Sequence, residues 1–92
     1  MMLAEDNFRV VHVSTHVSLR EACTLVKTER IYKVIKLAYQ SLQKLGIKNP
    51  RIAVAALNPH AGEHGLFGTE EKEEIEPAVT RAVQENIEVA GP

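Results

Sequence analysis

The chain has 92 residues, of which 45% are hydrophobic and 25% are charged, with one cysteine and no tryptophan. This length limits it to one domain, and a single Cys23 excludes both an internal disulfide and a cysteine-built zinc site. No apolar run is long enough to span a bilayer, and Glu5 and Asp6 stand where a secretory signal would be basic. We therefore expect a protein of the cytoplasm without a membrane partner.

The formal net charge of −1 hides an uneven distribution. Residues 1–51 hold nine basic and four acidic side chains, whereas residues 52–92 hold two basic and eight acidic ones. No aromatic platform accompanies the basic half, so this pattern indicates solvated helix faces and argues against a nucleic-acid partner.

The first half of the sequence predicts one strand and two helices. Residues 8–15 are β-branched and apolar on both faces, as in a buried strand. Ser18 with Glu21 forms a capping box for a short helix with apolar Leu19, Ala22, Leu25 and Val26. Thr28 is a second candidate N-cap, before a helix that runs to Gly46. Its apolar stripe contains Ile31, Val34, Ile35, Ala38, Leu42 and Leu45.

The second half predicts a strand, a loop, a helix and a further strand. Residues 51–57 form a short apolar run between two prolines, which predicts a strand. Residues 58–68 have no hydrophobic periodicity, which predicts a loop. Thr69 can cap a helix that begins at Glu70, where acidic side chains suit the positive end of the helix dipole. Pro77 must kink this helix or begin a second segment. Residues 87–89 predict the last strand.

This alternation of strands and helices favours an α/β layer with mostly parallel strands. In open sheets of this class, ligands bind beyond the carboxyl ends of the strands. His16 and His60 follow the first and second predicted strands, which could be neighbours, so their imidazoles could converge on one divalent ion.

For these two histidines the sequence leaves two interpretations open, a metal site or ordinary hydrogen-bonded turn residues. Thr15, Asn58 or Glu63 could orient the rings from behind. Catalytic sites usually hold a metal with three or more protein ligands. A third ligand must come from Glu63, another chain or sequence outside these 92 residues.

Other candidate side chains are weaker. We expect His12 to be a satisfied core residue, His64 to be exposed and Cys23 to be a buried small hydrophobe. Three glycines precede the third helix as in an anion cradle, but the four glutamates that follow would repel phosphate there. The glycines are Gly62, Gly65 and Gly68, and the glutamates are Glu70, Glu71, Glu73 and Glu74.

Residues 57–63, Leu-Asn-Pro-His-Ala-Gly-Glu, continue into Gly-Leu-Phe-Gly at 65–68. With Thr15-His16 before Leu19-Arg20, and Gly46-Ile47 before Pro50-Arg51-Ile52, this run resembles the 4-hydroxythreonine-4-phosphate dehydrogenase (PdxA) family. The resemblance covers essentially the whole chain, and its Asn-Pro-His-Ala-Gly-Glu run is highly specific.

The resemblance implies an isocitrate/isopropylmalate-dehydrogenase-like α/β/α sandwich in a homodimeric enzyme of pyridoxine biosynthesis. Such enzymes use NAD and a divalent metal (Zn, Mg, Mn or Co). They oxidise the C3 hydroxyl of a phosphorylated four-carbon acid, and the product then loses CO2. Residues 14–19, Ser-Thr-His-Val-Ser-Leu, depart from the usual Thr-Thr-His-Leu-Pro-Leu. They resemble instead a branch that acts on D-threonate or D-erythronate 4-phosphate, so the substrate stays open between these acids and the 4-hydroxythreonine 4-phosphate of the biosynthetic branch.

By the same resemblance, His16 and His60 match two of the family's three metal-binding histidines, and the third would lie beyond Pro92. The family's substrate-binding residues and most of its cofactor site have no counterpart, so catalytic and cofactor-binding residues stay unassigned. The chain resembles the middle third of an enzyme, that is, residues 1–92 as one partial α/β domain, inactive alone. The alternatives are the inactive product of a truncated reading frame, a piece that only packs against another chain, or a two-histidine metal-binding module.

Overall fold

The structure is a computed structural model that describes residues 2–92. Four strands are present: β1 (Met2–Glu5), β2 (Phe8–Val11), β3 (Arg51–Ala53) and β4 (Glu88–Ala90). The helices are α1 (Leu19–Thr24), α2 (Thr28–Lys44) and α3 (Glu76–Gln84). A π-helical turn, Glu71–Ile75, leads directly into α3, and a short 3₁₀ segment spans Pro59–Gly62. The chain is thus of mixed α/β composition, as predicted.

The strands form two separate two-stranded sheets. β1 and β2 make an antiparallel hairpin in register Met2 to Val11, and β3 lies parallel to β4 with Ile52 opposite Val89. The predicted pairing of mostly parallel strands is therefore right for β3 and β4 and wrong for the first strand. A two-residue connection, Asp6-Asn7, between short apolar runs is the hairpin signal that the sequence interpretation missed.

The first predicted strand is shorter and far more exposed than expected. Residues 8–15 were predicted to be buried on both faces, yet β2 ends at Val11 and Phe8 is 73% exposed. A β-branched, apolar sequence predicts a strand that another layer can cover, but within residues 2–92 the residues of β1 and β2 are exposed or at most half-buried. His12 falls just outside β2 and is exposed, which corrects its assignment to the core.

The buried core lies between the two long helical elements and β4. It contains Ile31, Tyr32 and Ile35 from α2, Ile75, Ala78, Val79 and Ala82 from the π-turn and α3, and Ile87 and Val89. Ala78 and Ala82 have no exposed surface, so these small side chains let α2 and α3 approach closely. Ile52 and Val54 of the β3 segment pack against the same core.

Both predicted helices of the first half are present, with two corrections. Ser18 caps α1 through a 3.1 Å hydrogen bond from the Glu21 amide to its Oγ, as the capping box predicts. No residue of α1 is fully buried, however, and Cys23 is exposed, so the prediction that it is a buried small hydrophobe is wrong. A helix this short, whose packed side chains are only half-buried, leaves most of its surface exposed to solvent.

The N-cap of the second helix lies one residue earlier than the sequence predicts. Lys27 occupies the cap position and offers no side-chain hydrogen bond, while Thr28 is the first helical residue. The missing acceptor comes from a distant carboxylate: Glu74 Oε1 accepts hydrogen bonds from the Thr28 amide and hydroxyl, both at 2.9 Å. Lys27 Nζ lies 3.8 Å from the other oxygen of the same carboxylate. Glu74 thus joins the start of α2 to the π-turn.

Tyr32 joins α2 to the end of α3. Its ring is buried, its hydroxyl donates to Glu85, and the Arg81 guanidinium lies 3.9 Å from the ring centroid. Arg81 also contacts Glu29 across the helix pair. These polar contacts surround one end of the apolar core and fix the rotation of α3 relative to α2. No helix within residues 2–92 is long and apolar enough to cross a membrane.

The Glu74 cap makes the stability of the fold depend on pH. Hydrogen bonds from the Thr28 amide, then from its hydroxyl, hold the pKa of Glu74 below its ordinary value of 4.5, against a smaller opposing effect of burial. A pKa that is lower in the folded state stabilises the fold above about pH 4.5, and this stabilisation disappears as the pH falls through the folded-state pKa. Glu74→Gln is expected to lower the free energy of unfolding at pH 7 and to differ little from the parent in acid.

Denaturant unfolding measured from pH 7 down to pH 3 tests this expectation, with exposed Glu73→Gln in the same turn as the control. A deficit of Glu74→Gln that is constant across the whole pH range would contradict the role of the charged carboxylate.

Candidate metal centre

The loop that follows β3 contains an unusual left-handed turn, residues 60–65. His60 has φ 54° and ψ 32°, Ala61 has φ 52° and ψ 34°, and Glu63 has φ 43° and ψ 63°. With Gly62, His64 and Gly65 also at positive φ, all six consecutive residues lie on the left-handed side. Backbone hydrogen bonds from Glu63 to His60, Gly65 to Gly62 and Leu66 to Glu63, at 2.9–3.1 Å, each span three residues. The turn therefore has the hydrogen-bond pattern of a short left-handed 3₁₀ helix.

Such a turn is strained. The left-handed conformation raises the conformational energy of a residue that carries a Cβ by about 1–2 kcal/mol. Four of the six residues, His60, Ala61, Glu63 and His64, carry a Cβ, so the summed cost is on the order of 4–8 kcal/mol. Strain of this size persists only where surrounding contacts over-determine the backbone, and it is concentrated at functional sites.

A buried carboxylate supplies those contacts. Glu71 is 4% exposed, and its Oε2 accepts hydrogen bonds from the amides of Leu57 and Asn58 at 2.8 and 2.6 Å. Its Oε1 accepts from Asn58 Nδ2 at 2.9 Å, and Glu70 Oε1 accepts from the same nitrogen at 2.6 Å. The two residues that immediately precede the 3₁₀ segment are thereby fixed to the π-turn.

The ionisation of Glu71 follows from these bonds. Burial alone would raise its pKa, but the hydrogen bonds from the Asn58 amide and side chain, with those from its own backbone and Leu57, lower the pKa below the ordinary value. The pKa of Glu70 is also lowered, first by the Asn58 side chain. Both carboxylates are therefore charged at neutral pH, and their negative charge faces N–H donors.

Two glycines allow the loop to close on these carboxylates. A Cβ on Gly62 would lie 2.6 Å from the carbonyl oxygen of Gly68 and 2.9 Å from Glu71 Oε1. A Cβ on Gly68 would lie 2.5 Å from Asn58 Nδ2 and 2.8 Å from Glu70 Oε1. Of the three glycines considered as an anion cradle, Gly62 and Gly68 instead permit the backbone to approach these side chains closely.

His60 is presented at the exposed beginning of the left-handed turn. Its ring lies 6.0 Å from the ring of Phe67, centroid to centroid, at an interplanar angle of 45°. Phe67 is itself held by a 2.9 Å hydrogen bond from its amide to the Gly62 carbonyl. His64 is exposed in the same turn, as predicted.

His16 lies in the other half of the chain, between β2 and α1. It is exposed and also has a positive φ, of 58°. A 2.6 Å hydrogen bond from Arg30 Nε to the Val13 carbonyl ties this segment to α2. Because β2 pairs with β1 and β3 pairs with β4, the strands before His16 and His60 are not paired neighbours, which corrects the expectation. Convergence of the two imidazoles stays a prediction.

The remaining predicted site residues have different surroundings. Thr15 and Glu63 are exposed, whereas Asn58 is half-buried and engaged by Glu70 and Glu71. Within residues 2–92, no three His, Cys, Asp or Glu side chains are grouped closely enough to hold a metal ion. Two imidazoles are suitable donors for a borderline divalent ion, but a complete site needs further ligands.

Sequence reasoning missed Glu71 and Glu74, because their acidic run was interpreted as complementing its own helix dipole. In the structure, Glu71 accepts a hydrogen bond from a backbone N–H of the loop after β3, and Glu74 accepts one from a backbone N–H of α2. Four of the five residues 70–74 are glutamates, which is more negative charge than the positive end of one helix dipole requires. This excess was the available signal that some of these carboxylates bind groups elsewhere in the chain.

The sequence matches the family described as pyridoxal phosphate biosynthetic protein PdxA over residues 1–92. A D-threonate 4-phosphate dehydrogenase of Salmonella typhimurium is 47% identical, and a provisionally named one of Oceanobacillus iheyensis is 54% identical. Each alignment covers 100% of this chain and 28% of the relative. A solved 4-hydroxythreonine-4-phosphate dehydrogenase of Klebsiella pneumoniae matches with a TM-score of 0.95 and 44% identity, covering 99% of this chain and 28% of that one. This chain thus spans about 28% of the length of these relatives.

The close approach at Gly68 can be tested by adding one methyl group. Gly68 has φ +135°, and Gly68→Ala would place a Cβ against the side-chain amide of Asn58. The new methyl group must therefore displace the side chain that Glu70 and Glu71 hold. We expect a loss of about 1–3 kcal/mol in the free energy of unfolding, from strain and lost hydrogen bonds.

Gly46→Ala is the matched control, because Gly46 also has a positive φ but has open space around its Cβ position. Equal losses in the two variants by denaturant unfolding would show that contact with Asn58 contributes nothing.

Proposed function

This chain belongs to the PdxA family, and from that membership we propose that it is part of an NAD-dependent and divalent-metal-dependent dehydrogenase. Residues 1–92 would form one partial α/β domain of an isocitrate/isopropylmalate-dehydrogenase-like sandwich, in an enzyme that works as a homodimer. The observation that supports this proposal most directly is the strained turn that presents His60 within the Asn-Pro-His-Ala-Gly-Glu run.

The proposed substrate is a 4-phosphorylated four-carbon 3-hydroxy acid. The Salmonella relative is named for D-threonate 4-phosphate and the Klebsiella structure for 4-hydroxythreonine 4-phosphate. D-erythronate 4-phosphate differs from the threonate only in configuration. Residues 14–19 favour the threonate and erythronate branch, so we propose those acids first and 4-hydroxythreonine 4-phosphate second.

In the proposed reaction the C3 hydroxyl is oxidised to a ketone and hydride passes to NAD. The carboxylate then leaves as CO2, and the proton released in the oxidation balances the one taken up at carbon. A bound divalent ion would supply Lewis-acid polarisation of the reacting oxygen, while the redox chemistry belongs to NAD.

The chain's own residues would hold and orient that ion. His60 and His16 would contribute neutral imidazole nitrogens, and Thr15 and Glu63 are placed in sequence to orient the rings. Asn58 would act on the ion only indirectly, because its side-chain amide donates hydrogen bonds to Glu70 and Glu71. The remaining ligands would come from the parent protein outside these 92 residues.

A pair of histidines in the same turn gives a sharp test. His60 and His64 are both exposed and have nearly equal φ values of 54° and 57°. We expect His60→Ala in the full-length protein to lower metal-dependent NADH formation by more than about 100-fold, since even partners behind a metal ligand are worth about 10- to 100-fold. His64→Ala is expected to leave the rate within a few fold.

The assay follows NADH absorbance with D-threonate, D-erythronate or 4-hydroxythreonine 4-phosphate, with metal removed by a chelator and restored. Full activity and metal content in His60→Ala would remove His60 from the proposed site.

The 92-residue chain by itself is proposed to be inactive. Its described residues contain no three-ligand group, and two imidazoles alone make a weak site. Incubation of the isolated chain with NAD, Mg²⁺ or Zn²⁺ and the phosphorylated acids should yield no NADH, and calorimetry should show no tight metal uptake. NADH formation would contradict the fragment interpretation, and tight uptake without turnover would favour the two-histidine metal-binding module.

A further inference from the structure

We propose that Glu71 is a positioning residue, which holds the left-handed turn in the conformation that presents His60 to a metal ion. The metal part of this inference rests on the proposed function. The conformational part rests on the contacts of Glu71 alone.

Glu71 contacts the strained loop at two points. Its Oε2 fixes the backbone amides of Leu57 and Asn58, directly before the 3₁₀ segment. Its Oε1 reaches the middle of the turn, because a Cβ on Gly62 would lie only 2.9 Å from it. Displacing this carboxylate would therefore release the two residues that lead into the turn, and the strained residues would relax toward negative φ.

The contact pattern requires a carboxylate rather than an amide. Both oxygens accept hydrogen bonds, one from two backbone amides and the other from Asn58 Nδ2. In Glu71→Gln, either orientation of the new amide places an NH2 group against an N–H donor. The side chain is 4% exposed, so water cannot easily repair the mismatch.

Presentation of His60 should then depend on Glu71 although the two side chains are in different elements. An imidazole on a relaxed loop must be ordered each time an ion binds, and this ordering weakens affinity. Groups that orient metal ligands from behind typically contribute about 10- to 100-fold in affinity. We expect a Glu71→Gln effect of that size.

The decisive experiment adds a rescue. In Glu71→Gln, the further change Ala61→Gly replaces a strained residue at φ 52° by one that adopts positive φ without a steric cost. If Glu71 acts by holding the strained turn, the double variant should recover a clear part of the lost affinity. Ala55→Gly in the same background is the matched control, because Ala55 is exposed in the same connection and has no positive φ.

The measurement is Co²⁺ affinity by calorimetry in the full-length protein, with Glu73→Gln as a further control. Hydrogen exchange at the amides of residues 57–65 is followed in parallel. We expect Glu71→Gln to bind Co²⁺ about 10- to 100-fold more weakly and to exchange faster in this loop, with Glu73→Gln unchanged. Affinity of the folded protein does not change with global stability while the unfolded fraction is small, so a merely structural role would leave it unaltered.

The outcomes separate the two proposals. A parent that binds Co²⁺ and an equally tight Glu71→Gln variant would overturn the positioning role and leave the proposed function intact. A parent that binds no Co²⁺ would overturn both the proposed metal site and this inference. Equal recovery by Ala61→Gly and Ala55→Gly would overturn the assignment of the effect to backbone strain.

Discussion

The hydrogen bonds between the Glu71 carboxylate and the loop after β3 are the constraint on which the rest of this site depends. Six consecutive residues at positive φ are costly for a chain of L-amino acids, and this conformation needs an external support. The support is a buried charge whose two oxygens both face N–H donors. Those donors more than offset the effect of burial on the pKa of Glu71, so the carboxylate stays ionised at neutral pH.

The same π-helical turn also organises the helical core. Glu74, three residues after Glu71, accepts a hydrogen bond from the first backbone amide of α2, and Ile75 at the end of the π-turn is buried in the same core as Ile31. One short segment therefore fixes the start of the longest helix and the loop of the candidate site. This turn therefore contributes both to the contact between α2 and α3 and to the backbone that precedes His60.

Local pattern predicted the helices well because their signals are local. The cap at Ser18, the apolar stripe of α2 and the effect of Pro77 each depend on residues within one or two turns of helix. The structure confirms the cap and the effect of Pro77, and it confirms the stripe except at Leu45, which lies beyond the end of α2 and is 63% exposed. The last strand was likewise predicted to within one residue.

Most of the failures concern what packs against a segment. The exposure of Phe8 and of Cys23 depends on packing partners, which hydrophobic periodicity does not encode. The pairing of β2 with β1 is different, because it is a local hairpin whose two-residue turn was overlooked. For the candidate site, the sequence identified His60, Asn58 and the glycines but not their support. The hydrogen bond between Leu57 and Glu71 spans fourteen residues, and four residues of the left-handed turn are not glycine: His60, Ala61, Glu63 and His64.

The spacing of the glutamates in the π-turn has an evolutionary consequence. Each residue added to a helix rotates everything after it by roughly 100°, since a turn contains about 3.6 residues. An insertion or deletion between Glu71 and Glu74 would leave one carboxylate in place and swing the other away from its donor. Length variation in this family should therefore be absent from the four residues 71–74.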